Sequence, residues 1–253
     1  MRETRLPLAG KAAVVTGASR GIGRAIALRL ARDGADIGLL QRSDATDVAR
    51  EISDLGRRAH VVRVDLEQPE EGERAVDAAA EVLGRLDIAI ANAARIVRRP
   101  ALELPLDEWE RTLAVNLTSV FTVSRAAARR FLAQGGGGAI VHVASVLSFQ
   151  GGLNVVAYAA SKGGVAQLTR ALANEWARFG IRVNAVAPGY VANDQTAPLR
   201  EDETRHRQIT ERIPAGVWAS DEDIAAAVAF LVSPDAGYVH GHVLAVDGGW
   251  LAR

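Results

Sequence analysis

The sequence has no cysteine and only one methionine in 253 residues. Without cysteine there can be no disulfide, thiolate metal or iron–sulfur ligation, or thiol nucleophile. Aromatic residues are sparse, at 5%. Neither sign of charge is in excess: Lys plus Arg is 30, Asp plus Glu is 30, and the formal net charge is 0. A balanced chain has no global positive field to hold nucleic acid or an anionic membrane. The arginines are scattered among acids with no aromatic-flanked basic stripe, so no nucleic-acid partner is expected. The five histidines are His60, His142, His206, His240 and His242. They show no ligand cluster; His240 and His242 read as a strand or turn pair, and no metal is expected. No run of 18 apolar residues occurs, and residues 1–8 lack the apolar core of a leader. No membrane span or signal peptide is expected, and the expected location is the cytoplasm.

Short β-branched runs alternate with longer Ala/Leu/Arg-rich stretches of helical period. The pattern predicts strands over residues 12–16, 36–41, 59–64, 87–91, 139–144, 181–187 and 242–246. It predicts helices over 21–33, 45–55, 70–83, 156–179 and 221–231. A long helix, open to interruption, is predicted within 105–134, and the run Gly135-Gly-Gly-Gly138 ends it as a surface turn. Ser220, three residues before Asp223, comes close to a capping box. Residues 193–212 are polar, with no strand pattern and weak helical periodicity; they read as a mobile substrate lid. Strands separated by crossover helices imply a mostly parallel sheet covered on both faces, in one α/β domain over residues 1–253. Ligands of such sheets sit at the C-terminal strand ends, where the strand order reverses.

The first predicted strand runs into Thr16-Gly-Ala-Ser-Arg-Gly-Ile-Gly23 and then a helix. Gly17 permits a tight turn, Gly21 a close approach of backbone to phosphate, and Gly23 close helix packing. The phosphates of a dinucleotide would rest on the helix N-terminus, among Ser19, Arg20 and Ile22. The spacing is Gly-x-x-x-Gly-x-Gly rather than Gly-x-Gly-x-x-Gly. No acid stands at Gln41 to hold a ribose diol, and Arg42 is cationic. Two guanidiniums, Arg20 and Arg42, suit a 2′-phosphate and favour NADP by charge. Asp65 and Leu66 could reach the adenine edge, and Asn92 and Ala93 the nicotinamide ribose.

Tyr158 and Lys162 are four residues apart on a predicted helix and share a face. Ser145 ends the fifth predicted strand, and Asn116 lies in the long helix beside the expected cleft. Alcohol oxidation needs a base, and carbonyl reduction an acid. A tyrosine of ordinary pKa, about 10, is a poor base at neutral pH, and a nearby ammonium would lower it. Lys162 is placed to do this and to hold ribose hydroxyls. Ser145 would orient the substrate oxygen, and Asn116 could hold a relay water. A nicotinamide cofactor would carry the hydride chemistry itself.

These motifs together, with Asn184 and Pro188-Gly189, resemble the short-chain dehydrogenase/reductase family over essentially the whole chain. The resemblance implies one doubly wound Rossmann-type domain with a seven-stranded sheet and helices on both faces. It implies catalytic Asn116, Ser145, Tyr158 and Lys162, and cofactor contacts extending to Pro188, Gly189, Val191 and Asn193. Many members are tetramers, so a homotetramer is expected. Ala91-Asn-Ala-Ala94 departs from the family's usual Asn-Asn-Ala-Gly, and Asn193 replaces a common threonine. Ser145-Val-Leu-Ser-Phe-Gln-Gly-Gly152, Arg212-Ile-Pro-Ala-Gly216 and Val246-Asp-Gly-Gly-Trp-Leu-Ala-Arg253 are similar to a subgroup acting on 2-deoxy-D-gluconate or 2-dehydro-3-deoxy-D-gluconate. That subgroup commonly uses NAD, against the charge argument, so the cofactor is left as NAD or NADP.

A sugar acid needs a cation for its carboxylate and hydrogen bonds for its hydroxyls. Arg95, Arg98, Arg99 and Arg212 are the candidate cations. Ser148, Gln150, Asn154 and Tyr190 are candidate hydroxyl contacts, with Ser145 and Tyr158 at the reacting oxygen. A 3-oxoacyl-carrier-protein reductase, a polyol dehydrogenase and a non-catalytic nucleotide-binding scaffold are the alternatives. The C-terminal Gly248-Gly-Trp-Leu-Ala-Arg253 is expected at a subunit interface.

Overall fold

Seven strands are present in a computed structural model that describes residues 6–253. They are β1 (Ala12–Thr16), β2 (Asp36–Gln41), β3 (Ala59–Arg63), β4 (Ile88–Ala91), β5 (Gly138–Val143), β6 (Ile181–Pro188) and β7 (Val243–Val246). Residues 1–5, part of the segment read for a leader, lie outside the described residues. The sheet order is β3-β2-β1-β4-β5-β6-β7, and every ladder between these strands is parallel. The chain therefore returns to the middle of the sheet after β3. That reversal between β1 and β4 opens a crevice at their C-terminal ends.

The helices are α1 (Gly21–Arg32), α2 (Thr46–Asp54), α3 (Pro69–Leu83), α4 (Leu106–Leu113), α5 (Ser119–Ala133), α6 (Val156–Trp176), α7 (Ala197–Glu201), α8 (Glu203–Arg212) and α9 (Asp221–Val232). Helices α1, α2 and α9 cover one face, where Ile26, Leu30, Ile52 and Val228 pack on Ile37, Leu39 and Val141. Helices α3, α5 and α6 cover the other, where Val76, Phe131 and Leu172 pack on Val14, Ile140 and Val183. Both sheet faces are dry, which is why the strands read as apolar runs rather than alternating ones.

Several boundaries follow from local chemistry. Helix α3 starts with Pro69 in its first turn and ends at Gly84, whose φ of 80° suits glycine. Ser220 and Asp223 form a reciprocal capping box at the start of α9. The long helix expected within 105–134 is interrupted by a π turn, Ala114–Thr118, between α4 and α5. Asp87, expected to open β4, instead accepts from Lys11, Arg85 and the Ala12 N–H. The four-glycine run is only half a surface turn. A Cβ on Gly137 would lie 1.9 Å from the Gly180 carbonyl oxygen, and one on Gly138 would lie 2.4 Å from the Phe131 ring. Residues 193–212 are also more helical than their weak periodicity implied. They form a short 3-10 turn, α7 and α8, although α8 buries only Ile209. That residue packs with Ile213, Val146 and Trp250, so tertiary contact sustains a helix that its own pattern hardly predicts. No helix among the described residues is long and apolar enough to cross a membrane.

Candidate active site

A cleft of about 1720 Å³ opens at the C-terminal ends of β1, β4, β5 and β6. This exceeds the roughly 300–1,000 Å³ of a typical small-ligand pocket and leaves room for a dinucleotide beside a second molecule. Its inner wall is the glycine loop between β1 and α1. Gly17 and Gly21 have φ of 66° and 56°, which glycine adopts without strain. A Cβ on Gly23 would stand 2.2 Å from the Gly17 carbonyl oxygen, so only glycine fits there. Helix α1 has no side-chain cap and no acid in its first turn. Its free N–H groups and positive dipole end therefore suit a pyrophosphate. These features fit a dinucleotide.

Ser19, Arg20, Ile22, Gln41, Arg42, Asp65 and Leu66 line the end of the cleft beside β2 and β3. The Arg42 guanidinium is exposed and lies 3.9 Å from Asp65 and 3.8 Å from Glu67. Arg20 lies 3.8 Å from Asp194. The Ser19 and Ser43 hydroxyls meet at 3.0 Å. Gln41 is buried and donates to the Ser43 carbonyl at 3.1 Å.

Asn92 and Ala93 line the cleft but face the loop as well as the ligand space. The Asn92 side-chain amide donates to the carbonyls of Thr16 (2.9 Å) and Gly17 (3.2 Å). The Thr16 hydroxyl accepts from the N–H groups of Asn92 and Ala93, both at 2.9 Å. Together they join the end of β4 to the loop. Ala91, the departure from the family pattern, is buried at the end of β4, where an apolar side chain is at home. Pro188, Gly189, Tyr190, Val191 and Asn193 line the opposite side. The Asn193 side chain caps the turn that follows, and its amide donates to Asp221 at 2.9 Å. The amide is thus partnered within the protein, not pointed free toward a carboxamide. Burial raises the Asp221 carboxyl above its usual range, against the lowering effect of that amide.

Ser145 follows β5, Tyr158 and Lys162 lie on α6, and Asn116 lies in the π turn. Tyr158 and Ser145 line the cleft, whereas Lys162 and Asn116 are buried behind it. Lys162 Nζ donates to the Val143 carbonyl at 2.6 Å and lies 5.5 Å from the centre of the Tyr158 ring. Burial pulls its pKa down to about 8. The Tyr158 ring is partly accessible, yet the surrounding protein pushes its phenol above the usual range. The Ser145 hydroxyl and then the Arg98 charge pull it the other way. The ammonium expected to lower this phenol is not among those influences, because in this structure it is turned toward β5. The π turn points Asn116 inward, where its Oδ1 accepts from the Arg95 N–H at 2.7 Å. Its Nδ2 donates to the Arg95 carbonyl (2.8 Å) and to Ser161 Oγ (3.1 Å).

On the substrate side the sequence candidates divide. Gln150, Asn154 and Tyr190 line the cleft. Ser148 does not; its hydroxyl donates to the Lys162 carbonyl at 2.7 Å and braces α6. Arg98 and Arg212 line the cleft without an acidic partner among the described residues, and Arg99 does not line it. Arg95 is held between Glu67 and Glu108. Among the described residues no three His, Asp or Glu side chains group as metal ligands.

The chain is 46% identical over 246 residues to 2-dehydro-3-deoxy-D-gluconate 5-dehydrogenase of Escherichia coli K12, a match covering 97% of each chain. A family model described as enoyl-(acyl carrier protein) reductase matches residues 17–251. The chain belongs to the short-chain dehydrogenase/reductase family. Two solved structures superimpose on this short-chain dehydrogenase/reductase with a TM-score of 0.93. One is a provisionally named 2-deoxy-D-gluconate 3-dehydrogenase from Agrobacterium tumefaciens with bound NADP, 44% identical, covering 99% of this chain and 100% of that one. The other is a provisionally named NAD(P)-dependent gluconate 5-dehydrogenase from Beutenbergia cavernae with NADP at low occupancy, 50% identical, covering 98% and 100%.

Three features of this family member escaped sequence reasoning. Thr16 was read only as the end of a strand. Ser161, fully buried, donates to the Tyr158 carbonyl at 2.7 Å and accepts from Asn116, and so joins two candidate residues. The spacing Tyr-x-x-Ser-Lys carried that signal. Trp250, expected at a subunit interface, is buried within its own chain against Val146, Ile209 and Ile213. Its indole N–H has no acceptor among the described residues.

Proposed function

We propose that the protein is an NAD(P)-dependent oxidoreductase that interconverts a secondary alcohol and a ketone on a sugar acid. The substrate class is that named for its relatives, 2-deoxy-D-gluconate or 2-dehydro-3-deoxy-D-gluconate. The observation that carries the reading is the meeting of Ser145 and Tyr158 at a cleft whose floor is an uncapped glycine loop. When bound, the nicotinamide cofactor accepts or supplies the hydride. The loop residues Gly17, Ser19, Arg20, Gly21, Ile22 and Gly23 hold its pyrophosphate side. Gln41, Arg42, Asp65 and Leu66 hold the adenosine; Asn92, Ala93, Pro188, Gly189, Val191 and Asn193 frame the nicotinamide half.

Ser145 donates a hydrogen bond to the substrate oxygen. Tyr158 takes the alcohol proton during oxidation and returns it during reduction. Lys162 keeps a positive charge beneath the Tyr158 ring, and Asn116 fixes the backbone that brings Arg95 and Ser161 together. Gln150 and Tyr190 contact hydroxyls, and residues 193–212 close over the substrate as a lid.

A second reading, an acyl-carrier-protein reductase, takes support from the description of the matching family model. Arg98, Arg212 and Gln150 along the cleft favour a charged polar substrate over an acyl chain. We further propose a cytoplasmic homotetramer. Leu102, Leu106 and Leu153 are largely exposed and supply apolar surface for association. Light scattering on the purified protein reads the oligomer directly, and a monomer overturns it.

The deciding experiment follows nicotinamide absorbance with keto sugar acids, acetoacetyl thioesters and neutral ketoses, each with NADH and NADPH. Turnover confined to sugar acids is expected. Turnover of thioesters or neutral sugars alone discards the substrate assignment.

A further inference from the structure

We infer that Arg212, stacked on Trp250, binds the carboxylate of the substrate and sets the enzyme's preference for acids over neutral sugars. The inference rests on the sugar-acid reading above and names the residue that enforces it.

Six arginines line the cleft, and three of them already have an anionic partner. Arg95 is shared by Glu67 and Glu108, Arg42 faces Asp65 and Glu67, and Arg20 faces Asp194. Arg98 has no acid, but it sits near enough to Tyr158 to influence the phenol, and it donates to the Gln195 carbonyl at 3.1 Å. It belongs to the reacting end of the cleft. A sugar acid oxidised well along its chain keeps its carboxylate several bonds from that end. Arg205, on the same helix as Arg212, donates to Gln208 of its own helix and is not stacked on any ring.

Arg212 is different in three respects. Its guanidinium carbon lies 3.9 Å from the centre of the Trp250 ring, so the planar group is held against an aromatic face. Its one side-chain hydrogen bond is a long one, 3.4 Å, to Gln150 Oε1. Among the described residues no carboxylate lies within ion-pair distance. Stacking orients a guanidinium while leaving its edge donors free, the arrangement suited to a two-pronged contact with a carboxylate.

The backbone beneath it is also fixed. The Arg253 side chain donates to the carbonyls of Glu211 (2.6 Å) and Arg212 (3.1 Å). Asp247 accepts from the N–H groups of Gly249 (2.9 Å) and Leu251 (3.0 Å), which shapes the tail that carries Trp250. Tyr190 packs on Trp250 with ring centres 4.8 Å apart and on Trp218 at 5.2 Å. The end of α8, the C-terminal tail and the loop after β6 thus build one preorganised wall. Preorganisation lowers the entropic cost of binding a small anion there.

The test compares the wild type with Arg212→Gln and Arg212→Lys. The substrates are 2-dehydro-3-deoxy-D-gluconate and its neutral C1 amide, assayed with saturating cofactor. The wild type is expected to favour the acid by about ten-fold or more in kcat/KM, the discrimination of a charged hydrogen-bonded pair. Arg212→Gln is expected to raise KM for the acid by about the same factor. Its kcat and its kinetics on the amide stay near wild type, and Arg212→Lys falls between. Unchanged NADPH fluorescence on binding shows that each variant is folded; if Arg212→Gln fails this control, Arg212→Lys decides. Equal losses on both substrates, or no loss on the acid, overturn the role of Arg212 and leave the sugar-acid reading standing. A wild type that accepts acid and amide equally also overturns it. A wild type that turns over neither, but reduces thioesters, overturns the sugar-acid reading and this inference together.

Discussion

Lys162 Nζ donates to the main-chain carbonyl of Val143 at 2.6 Å, behind the wall of the cleft rather than in it. Lys162 is 1% exposed, and burial brings its pKa down to about 8 from an ordinary 10.5. A lysine whose folded pKa lies below its unfolded value destabilises the fold wherever it must carry its charge. That cost is fully present below pH 8 and is relieved as pH rises toward 10.5. Lys162→Met is therefore expected to lose about 10²–10⁴ in kcat/KM while melting no lower than wild type at pH 7. Its melting advantage should shrink as pH rises from 8 toward 10.5. A large drop in melting temperature at pH 7 would refute the assignment of burial as the cause.

The Tyr158 phenol is raised by burial and lowered by the Ser145 hydroxyl. Oxidation of the alcohol needs the deprotonated form, so its rate should climb with pH into the alkaline range. Reduction should be favoured at lower pH. Removing a lowering contact shifts the limb upward, so Ser145→Ala should move the oxidative pH profile to higher pH as well as reduce its plateau. A profile of unchanged midpoint in Ser145→Ala would show that the hydroxyl does not act on the phenol.

Gly23 and Gly21 should respond differently to alanine. At Gly23 a Cβ meets the Gly17 oxygen at 2.2 Å and Asn92 Nδ2 at 2.5 Å, so the loop must move. We expect a stability loss of about 1–3 kcal/mol and loss of nucleotide binding. At Gly21 the nearest side-chain atom lies 3.8 Å away, and the cost comes from its φ of 56°. That strain is about 1–2 kcal/mol. Denaturant unfolding with and without NADPH distinguishes the two; similar nucleotide affinity in both variants counts against the packing argument.

Arg42 is 70% exposed beside the ends of β2 and β3, in long ion pairs with Asp65 (3.9 Å) and Glu67 (3.8 Å) that a phosphate could displace. If it meets a 2′-phosphate, Arg42→Ala should raise KM for NADPH by about ten-fold and leave KM for NADH unchanged. Parallel changes for the two cofactors would remove it from 2′-phosphate recognition.

His142 is fully buried in β5 between Ser124 (2.9 Å) and Thr169 (2.8 Å). Burial, then the nearby Lys162 charge, lowers its pKa from 6.5 to about 3. The unfolded chain binds a proton that the native state refuses, so stability falls as pH drops from 6.5 toward 3. The slope for one proton is about 1.4 kcal/mol per pH unit. His142→Gln should be less stable at pH 8 but lose less on acidification. Urea unfolding at pH 7.5 and 5 would reveal the difference; equal slopes would exclude this histidine as the acid-sensitive group.

Much of the site is legible because its residues act at short range along the chain. Gly17, Gly21 and Gly23 mark a turn running into a helix, and Tyr158 and Lys162 share a helix face at i and i+4. Ser220 and Asp223 announce a cap. Other assignments failed where a residue's partner is remote. Ser148 looked like a substrate contact, but its hydroxyl goes to Lys162 on the neighbouring helix. Thr16 reads as the end of a strand running into the glycine loop, but its hydroxyl also gathers two N–H groups from the end of β4, 76 and 77 residues away.

The sequence by itself determined the alternation of strands and helices, the glycine loop and the candidate chemical groups. Turn preferences, capping and apolar period are local properties of neighbouring residues. Only the tertiary structure decided which cleft arginines lack an acid, how Asn116 is turned inward by a π turn, and that residues 197–201 and 203–212 are helical. It also decided that Trp250 is buried within its own chain under Arg212. Those outcomes depend on side chains brought together from distant parts of the chain, where burial and charge pairing outweigh the local pattern.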